Sequence, residues 1–166
     1  MCDVQKAAYA KAYTRRRSLA LLASVLADDF ETAVMLTFRY SGSNIAPALA
    51  VSQIRWLRVQ ARRIAGGPFR YVQTATYDLT AKNPKPVCRL IVQLPADVCE
   101  KVAASWFMGP AEAKAMTPPK LAAFVSGLME QPPDAWPENC AMWTCSADLR
   151  RNRLSTGACS GGLRPC

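Results

Sequence analysis

The residues of this chain best suited to chemistry are its arginines, which occur in clusters. After an early cluster at Arg15–Arg17 comes a cluster of Arg55, Arg58, Arg62 and Arg63, in which the first three have the spacing of a stripe along one flank of a helix. A third cluster lies further along the chain: Arg150, Arg151 and Arg153. With a formal net charge of +9, such clusters favour an anionic partner, most often a nucleic acid. The alternative is that they are solvated faces of ordinary helices.

Other residue types argue against the common catalytic and metal sites. The sequence contains no histidine, and its seven cysteines include no CxxC pair, so we expect no zinc site of ordinary ligand spacing. The acidic residues show no spacing typical of a pair that performs general acid–base catalysis, and no P-loop, nucleophile elbow or dinucleotide fingerprint occurs. We therefore expect no cofactor and no metal, and we expect the cysteines to be reduced.

Hydrophobic periodicity predicts the elements that would position these arginines. Apolar residues at 54, 57, 61 and 64 repeat at helical spacing, and residues 33–41 alternate in the manner of a strand. In chain order, the predicted elements are a helix (5–27), a strand (33–41), a helix (45–65), two strands (69–79 and 86–95), two helices (96–107 and 117–129) and a short strand (141–146). This order predicts an α+β domain with helices packed on a central antiparallel sheet.

The first helix contains an apolar run, Leu19–Ala27, which follows three arginines and resembles a signal peptide. The run is too short to span a bilayer. Its leucines Leu19, Leu22 and Leu26 also fit one side of a soluble amphipathic helix. We favour this second interpretation and expect a cytoplasmic protein without a membrane partner.

Six short segments, taken in their order and spacing, resemble the rolling-circle replication initiators of plasmids and phages, the HUH endonuclease superfamily. They are MLTFRY (35–40), YVQTATY (71–77), PVCRLIVQLP (86–95), SWFMGP (105–110), KLAAFVSGLME (120–130) and CSADL (145–149). The resemblance implies an HUH/Rep-like variant of the ferredoxin-like fold. We expect an N-terminal helix at 1–30, a Rep-like domain at 31–150 and a mobile basic tail at 151–166.

In that family, two histidines on one strand share a divalent ion with an acidic group, and a tyrosine on a later helix attacks the phosphorus. The two metal positions correspond here to Val87 and Arg89, and Thr76 stands in place of the acidic ligand. Phe124 occupies the position of the nucleophile, and all five tyrosines precede residue 86. The resemblance therefore implies a protein without nickase activity.

We accordingly expect a mobile-element protein, replication-associated or regulatory, that binds single-stranded or hairpin DNA without cutting it. Arg89 and Arg39 would put positive charge where the family holds its metal, unless Arg89 merely reaches water at a sheet edge. The expected DNA contacts are Arg39, Arg55, Arg58, Arg62, Arg63, Arg89, Arg150, Arg151 and Arg153. The alternatives are a protein-binding inhibitor of the anti-defence or anti-CRISPR kind, and an initiator that recruits host enzymes.

Overall fold

The computed structural model of the protein describes residues 3–41, 47–80, 84–136 and 142–149. Four helices and five strands make up these ranges, together with a short 3-10 turn at Pro133–Ala135. In chain order they are α1 (Asp3–Asp29), β1 (Ala33–Arg39), α2 (Pro47–Ala65), β2 (Tyr71–Asp78), β3 (Lys85–Val92), α3 (Ala96–Ala104), β4 (Ala111–Met116), α4 (Pro118–Glu130) and β5 (Trp143–Cys145).

The five strands form one antiparallel sheet in the order β4-β1-β3-β2-β5. The central strand is therefore β3, with β1 and β2 as its neighbours. Helices pack on this sheet, which confirms the predicted α+β class with a central antiparallel sheet. The predicted helices and strands are present, with ends that differ by a few residues from the pattern-based bounds.

Each face of the sheet carries its own apolar cluster, because successive strand residues point to opposite sides. On one face, Val72 and Ile91 pack with buried residues of α1 and α4, including Leu22 and Val125. We call this the α1–α4 face. On the other, Leu36, Phe38 and Leu90 pack with buried residues of α2 and α3. We call this the α2–α3 face.

Helix α1 is part of the core on the α1–α4 face. Leu19, Leu22 and Leu26 are almost fully buried, which confirms the apolar side predicted from their spacing. The indole nitrogen of Trp143 on β5 donates to the carbonyl oxygen of Ser18 at 3.0 Å. Hydrophobic burial and a hydrogen bond between residues distant in the sequence thus hold the helix against the sheet.

Strand β4 was not predicted, because its sequence, AEAKAM, consists of residues that are depleted in strands or neutral. It forms because it pairs with β1 along its whole length, from Ala33 opposite Met116 to Phe38 opposite Ala111. Tertiary pairing therefore overrides local propensity here.

Helix α2 buries Leu57 and Ala61 against the sheet and ends at Ala65, just before Gly66, whose φ of 76° lies in the left-handed region. The Gly66 and Gly67 amides donate to the carbonyl oxygens of Arg63 and Arg62, which caps the last turn. None of the helices within the described ranges combines the length and apolar character needed to cross a bilayer.

Candidate functional site

The strand register places Val87, Arg89, Thr76 and Arg39 on the same face of the sheet. Arg89 on the central strand lies opposite Thr37 of β1 and Thr74 of β2. Val87, two residues earlier, lies opposite Arg39 and Thr76. Because residues opposite one another and residues two apart share a face, the set lies on the α1–α4 face. We call it the Arg89 patch: Thr37, Arg39, Thr74, Thr76, Val87 and Arg89.

Arg89 is half-buried in the middle of this patch rather than exposed at a sheet edge. Its Nη1 donates a hydrogen bond to Thr76 Oγ1 at 2.9 Å. Among the described residues, no carboxylate forms an ion pair with it. Burial lowers the pKa of the Arg89 guanidinium and the nearby Arg39 lowers it further, whereas Asp78 and Glu112 act in the opposite direction. The group still carries its charge at neutral pH.

The hydroxyls around Arg89 are buried, and one is unsatisfied. Thr37, Thr74 and Thr76 have exposed fractions of 3%, 2% and 4%. Thr74 Oγ1 has no hydrogen-bond partner among the described residues. A buried hydroxyl without a hydrogen-bond partner costs free energy.

Arg39 supplies a second cation at the end of the patch. Its side chain is 44% exposed, and Nη1 lies 3.9 Å from Asp78 Oδ2, near the limit of an ion pair. The other oxygen of Asp78 accepts hydrogen bonds from the Thr80 amide and hydroxyl, and these bonds are the main reason that the pKa of Asp78 is lowered. The Asp78 carboxylate is therefore held by Thr80 at the rim of the patch, and it acts on Arg89 only electrostatically, without an ion pair.

The segment SWFMGP holds the end of β1 that carries Arg39. Trp106 Nε1 donates to the Arg39 carbonyl oxygen at 2.8 Å, and the Trp106 ring contacts those of Phe38 and Tyr40 edge-on. A side chain at Gly109 would meet the same Arg39 carbonyl oxygen at 2.5 Å. The tryptophan and the glycine of this segment thus position the strand end that presents Arg39.

Phe124 lies on α4, on the side of the sheet that carries the Arg89 patch, and packs against the apolar cluster of that face. Its ring has no hydroxyl and is part of the packing. Among the described residues, no three histidine, cysteine, aspartate or glutamate side chains lie close enough to hold a metal ion. The patch itself, with two guanidinium groups and several hydroxyls, is suited to an anion.

The α2 arginines are not brought together with the Arg89 patch, because α2 packs on the opposite face. Arg58 is engaged within the fold: Nη1 donates to the Tyr71 hydroxyl at 3.1 Å, and the guanidinium lies 5.7 Å from the Tyr71 ring centroid. Arg55, Arg62 and Arg63 are exposed. They form a separate basic surface.

Arg150, Arg151 and Arg153 and the predicted tail lie outside the described residues.

Sequence reasoning missed Thr37 and Thr74, which flank Arg89 directly. Their signal was the alternation of threonine and arginine in TFR and of threonines in TATYD, which placed polar residues on one side of each strand.

Comparison of the chain with protein families, with curated proteins and with solved structures yields no match. Its function is therefore inferred from the side chains of this patch and from the charge of the chain.

Proposed function

We propose that the protein binds DNA without cutting it, and that the Arg89 patch contacts the phosphate backbone. The observation that supports this is the state of Arg89: a half-buried guanidinium, bonded to a neutral threonine and not to a carboxylate, beside the second cation Arg39. A phosphate oxygen would neutralise this charge through a charge-assisted hydrogen bond.

Absence of cleavage follows from the same residues. A divalent ion would be repelled by Arg89, and Val87 and Thr76 offer no carboxylate or imidazole to hold it. At the position of the nucleophile, Phe124 has no oxygen with which to attack phosphorus. As a descendant of the HUH initiators, the protein would recognise DNA of an origin or hairpin type in a replication-associated or regulatory role.

DNA binding is tested by fluorescence anisotropy with single-stranded and hairpin oligonucleotides over a salt series. Arg89→Met removes one charge-assisted phosphate contact, and we expect at least a tenfold loss of affinity and a salt slope shallower by about one unit. Arg89→Lys keeps the charge but not the planar guanidinium group, so its affinity for DNA should lie between those of Arg89→Met and the wild type.

The matched control is Arg70→Met, which removes the same charge elsewhere. Arg70 already pairs with Asp148 at 2.7 Å, so it is not available to phosphate in the same way, and we expect less than a twofold change. Equal losses of DNA affinity for both variants would show that only the net charge of the protein matters. That result would overturn the Arg89 patch as the binding site. Supercoiled plasmid with Mg²⁺ or Mn²⁺ should remain uncut, and a covalent protein–DNA adduct would contradict the proposal.

A protein-binding inhibitor is the second candidate, because the α2–α3 side exposes large apolar groups. Phe107 is 69% exposed and Val59 is 63% exposed. The Phe107 ring also contacts the half-buried Trp56 edge-on at 5.5 Å. For this function, nuclease-treated host extract should yield one defined partner that binds the wild type and Arg89→Met equally and is lost with Phe107→Ser.

A further inference from the structure

Strand β4 is the last strand at one end of the sheet, and its outer edge is open with respect to the described residues. It pairs with β1 on one side, and no described strand pairs with it on the other. Residues 112–115 are all exposed. An open strand edge presents unpaired amide and carbonyl groups that can accept another strand.

The hydrogen bonds to β1 determine which backbone groups of β4 point outward. The Arg39 amide donates to the Pro110 carbonyl oxygen at 2.9 Å, so the hydrogen-bonded positions facing β1 are 110, 112, 114 and 116. The amide and carbonyl groups of the intervening residues Ala111, Ala113 and Ala115 therefore point away from the sheet. All three have an N–H to donate and a methyl side chain that leaves room for a neighbouring strand.

The charges of this edge are complementary to themselves. In an antiparallel pair of two copies centred on Ala113, Glu112 of one copy lies opposite Lys114 of the other, and the reverse pair forms at the symmetry-related position. Both residues have their side chains on the α1–α4 face, because they lie opposite Thr37 and Met35. They would occupy non-hydrogen-bonded positions, where opposing side chains approach most closely.

This register is distinguished from its neighbours. A pair centred on Glu112 would oppose two glutamates, and one centred on Lys114 would oppose two lysines; like charges directly opposite destabilise a sheet. Charged residues on an edge strand usually prevent pairing. On β4, Glu112 and Lys114 have opposite charges on either side of Ala113. They therefore disfavour the two shifted registers and favour the register centred on Ala113.

We propose that a second copy of the chain pairs with the β4 edge in antiparallel orientation, with the two-fold axis at Ala113. The two sheets then form one continuous sheet across an isologous interface. Because the axis is perpendicular to the sheet, both Arg89 patches lie on the same side, with their central strands about 24 Å apart at ordinary strand spacing. The pairing does not depend on the proposed function.

Sedimentation velocity over a concentration series tests the pairing. The wild type should be a dimer, and Glu112→Lys and Lys114→Glu should each weaken the dimer at least tenfold, because each opposes like charges. The double variant carrying both changes restores opposite charges and should dimerise again. Mixing the two single variants should give a heterodimer, detected by native mass spectrometry, because an all-lysine edge then meets an all-glutamate edge.

Glu100→Lys on α3 and Lys120→Glu on α4 are exposed sites with the same charge changes and should leave the dimer intact. Circular dichroism should show that all variants are folded. A wild type that stays monomeric up to its solubility limit overturns the proposal. So does a dimer insensitive to charge reversal on β4, or a pair of single variants that fail to combine.

Discussion

Gly109→Ala is the smallest change that tests how the end of β1 is held. A Cβ at this position would lie 2.5 Å from the Arg39 carbonyl oxygen and 2.7 Å from the Ser41 amide nitrogen. Both are backbone atoms, which cannot rotate away as a side chain does. The added methyl group must therefore push the strand end and the 105–110 segment apart.

The expected cost follows from the contacts that this movement breaks. To restore ordinary carbon–oxygen contact, the two segments must separate by about 1 Å. Three hydrogen bonds cross the gap: the Arg39 amide to Pro110, the Ser41 amide to Met108, and the Trp106 indole to Arg39. At about 1 kcal/mol each, their weakening lowers the free energy of unfolding by about 2–4 kcal/mol.

Gly127→Ala provides a matched control with the same added methyl group. Gly127 lies within α4, and a Cβ at this position would have no neighbouring atom within 4 Å among the described residues. In a helix interior, alanine is favoured over glycine by about 0.5–1 kcal/mol, so this variant should be more stable than the wild type. Urea unfolding followed by circular dichroism measures both variants, with equal slopes as evidence that only stability has changed.

Opposite signs for the two glycines are the expected result. If Gly109→Ala unfolds within about 0.5 kcal/mol of Gly127→Ala, the close approach at Arg39 does not hold the strand end, and the positioning role given to SWFMGP is refuted. A loss of stability together with weaker DNA binding would connect the packing of this segment with the presentation of Arg39.

Variants at three further positions test separate parts of the fold. Leu22→Ala, at a fully buried position of α1, should cost about 3 kcal/mol in thermal or urea unfolding, and an unchanged stability would show that α1 is not part of the core. Gly66→Ala should cost about 1 kcal/mol because φ is 76°, while Gly66→Asn should cost less; equal values would refute strain at this turn. Burial raises the pKa of the Cys88 thiol to about 12, above its value in the unfolded chain. The stability that the protonated Cys88 thiol contributes is therefore fully present below about pH 9 and is lost as the pH rises toward 12. Over that range, the free energy of unfolding falls with a slope approaching 1.4 kcal/mol per pH unit. Cys88→Ala should show a shallower alkaline loss in urea unfolding under reducing conditions, and an identical slope would exclude this thiol as the cause.

Periodicity alone was sufficient for most of the elements. The apolar spacing that includes Leu57 and Ala61 predicted α2, and both residues are buried in the structure. The alternating segment 33–41 predicted β1. Each of these predictions depends on residues a few positions apart, where side-chain direction follows from the local backbone. Strand β4 was missed for the same reason, since nothing in AEAKAM favours a strand except the presence of β1 beside it.

Composition and order also determined the charge of the protein, its α+β class, and the lack of any histidine for metal chemistry. Only the tertiary structure decided which side chains meet. Alternation showed that Arg39 and Arg89 each lie on one side of a strand, but the pairing register placed Arg89 between Thr37 and Thr74 and left Asp78 at the rim. Register is set by contacts between residues far apart in the chain, so a local pattern cannot specify it.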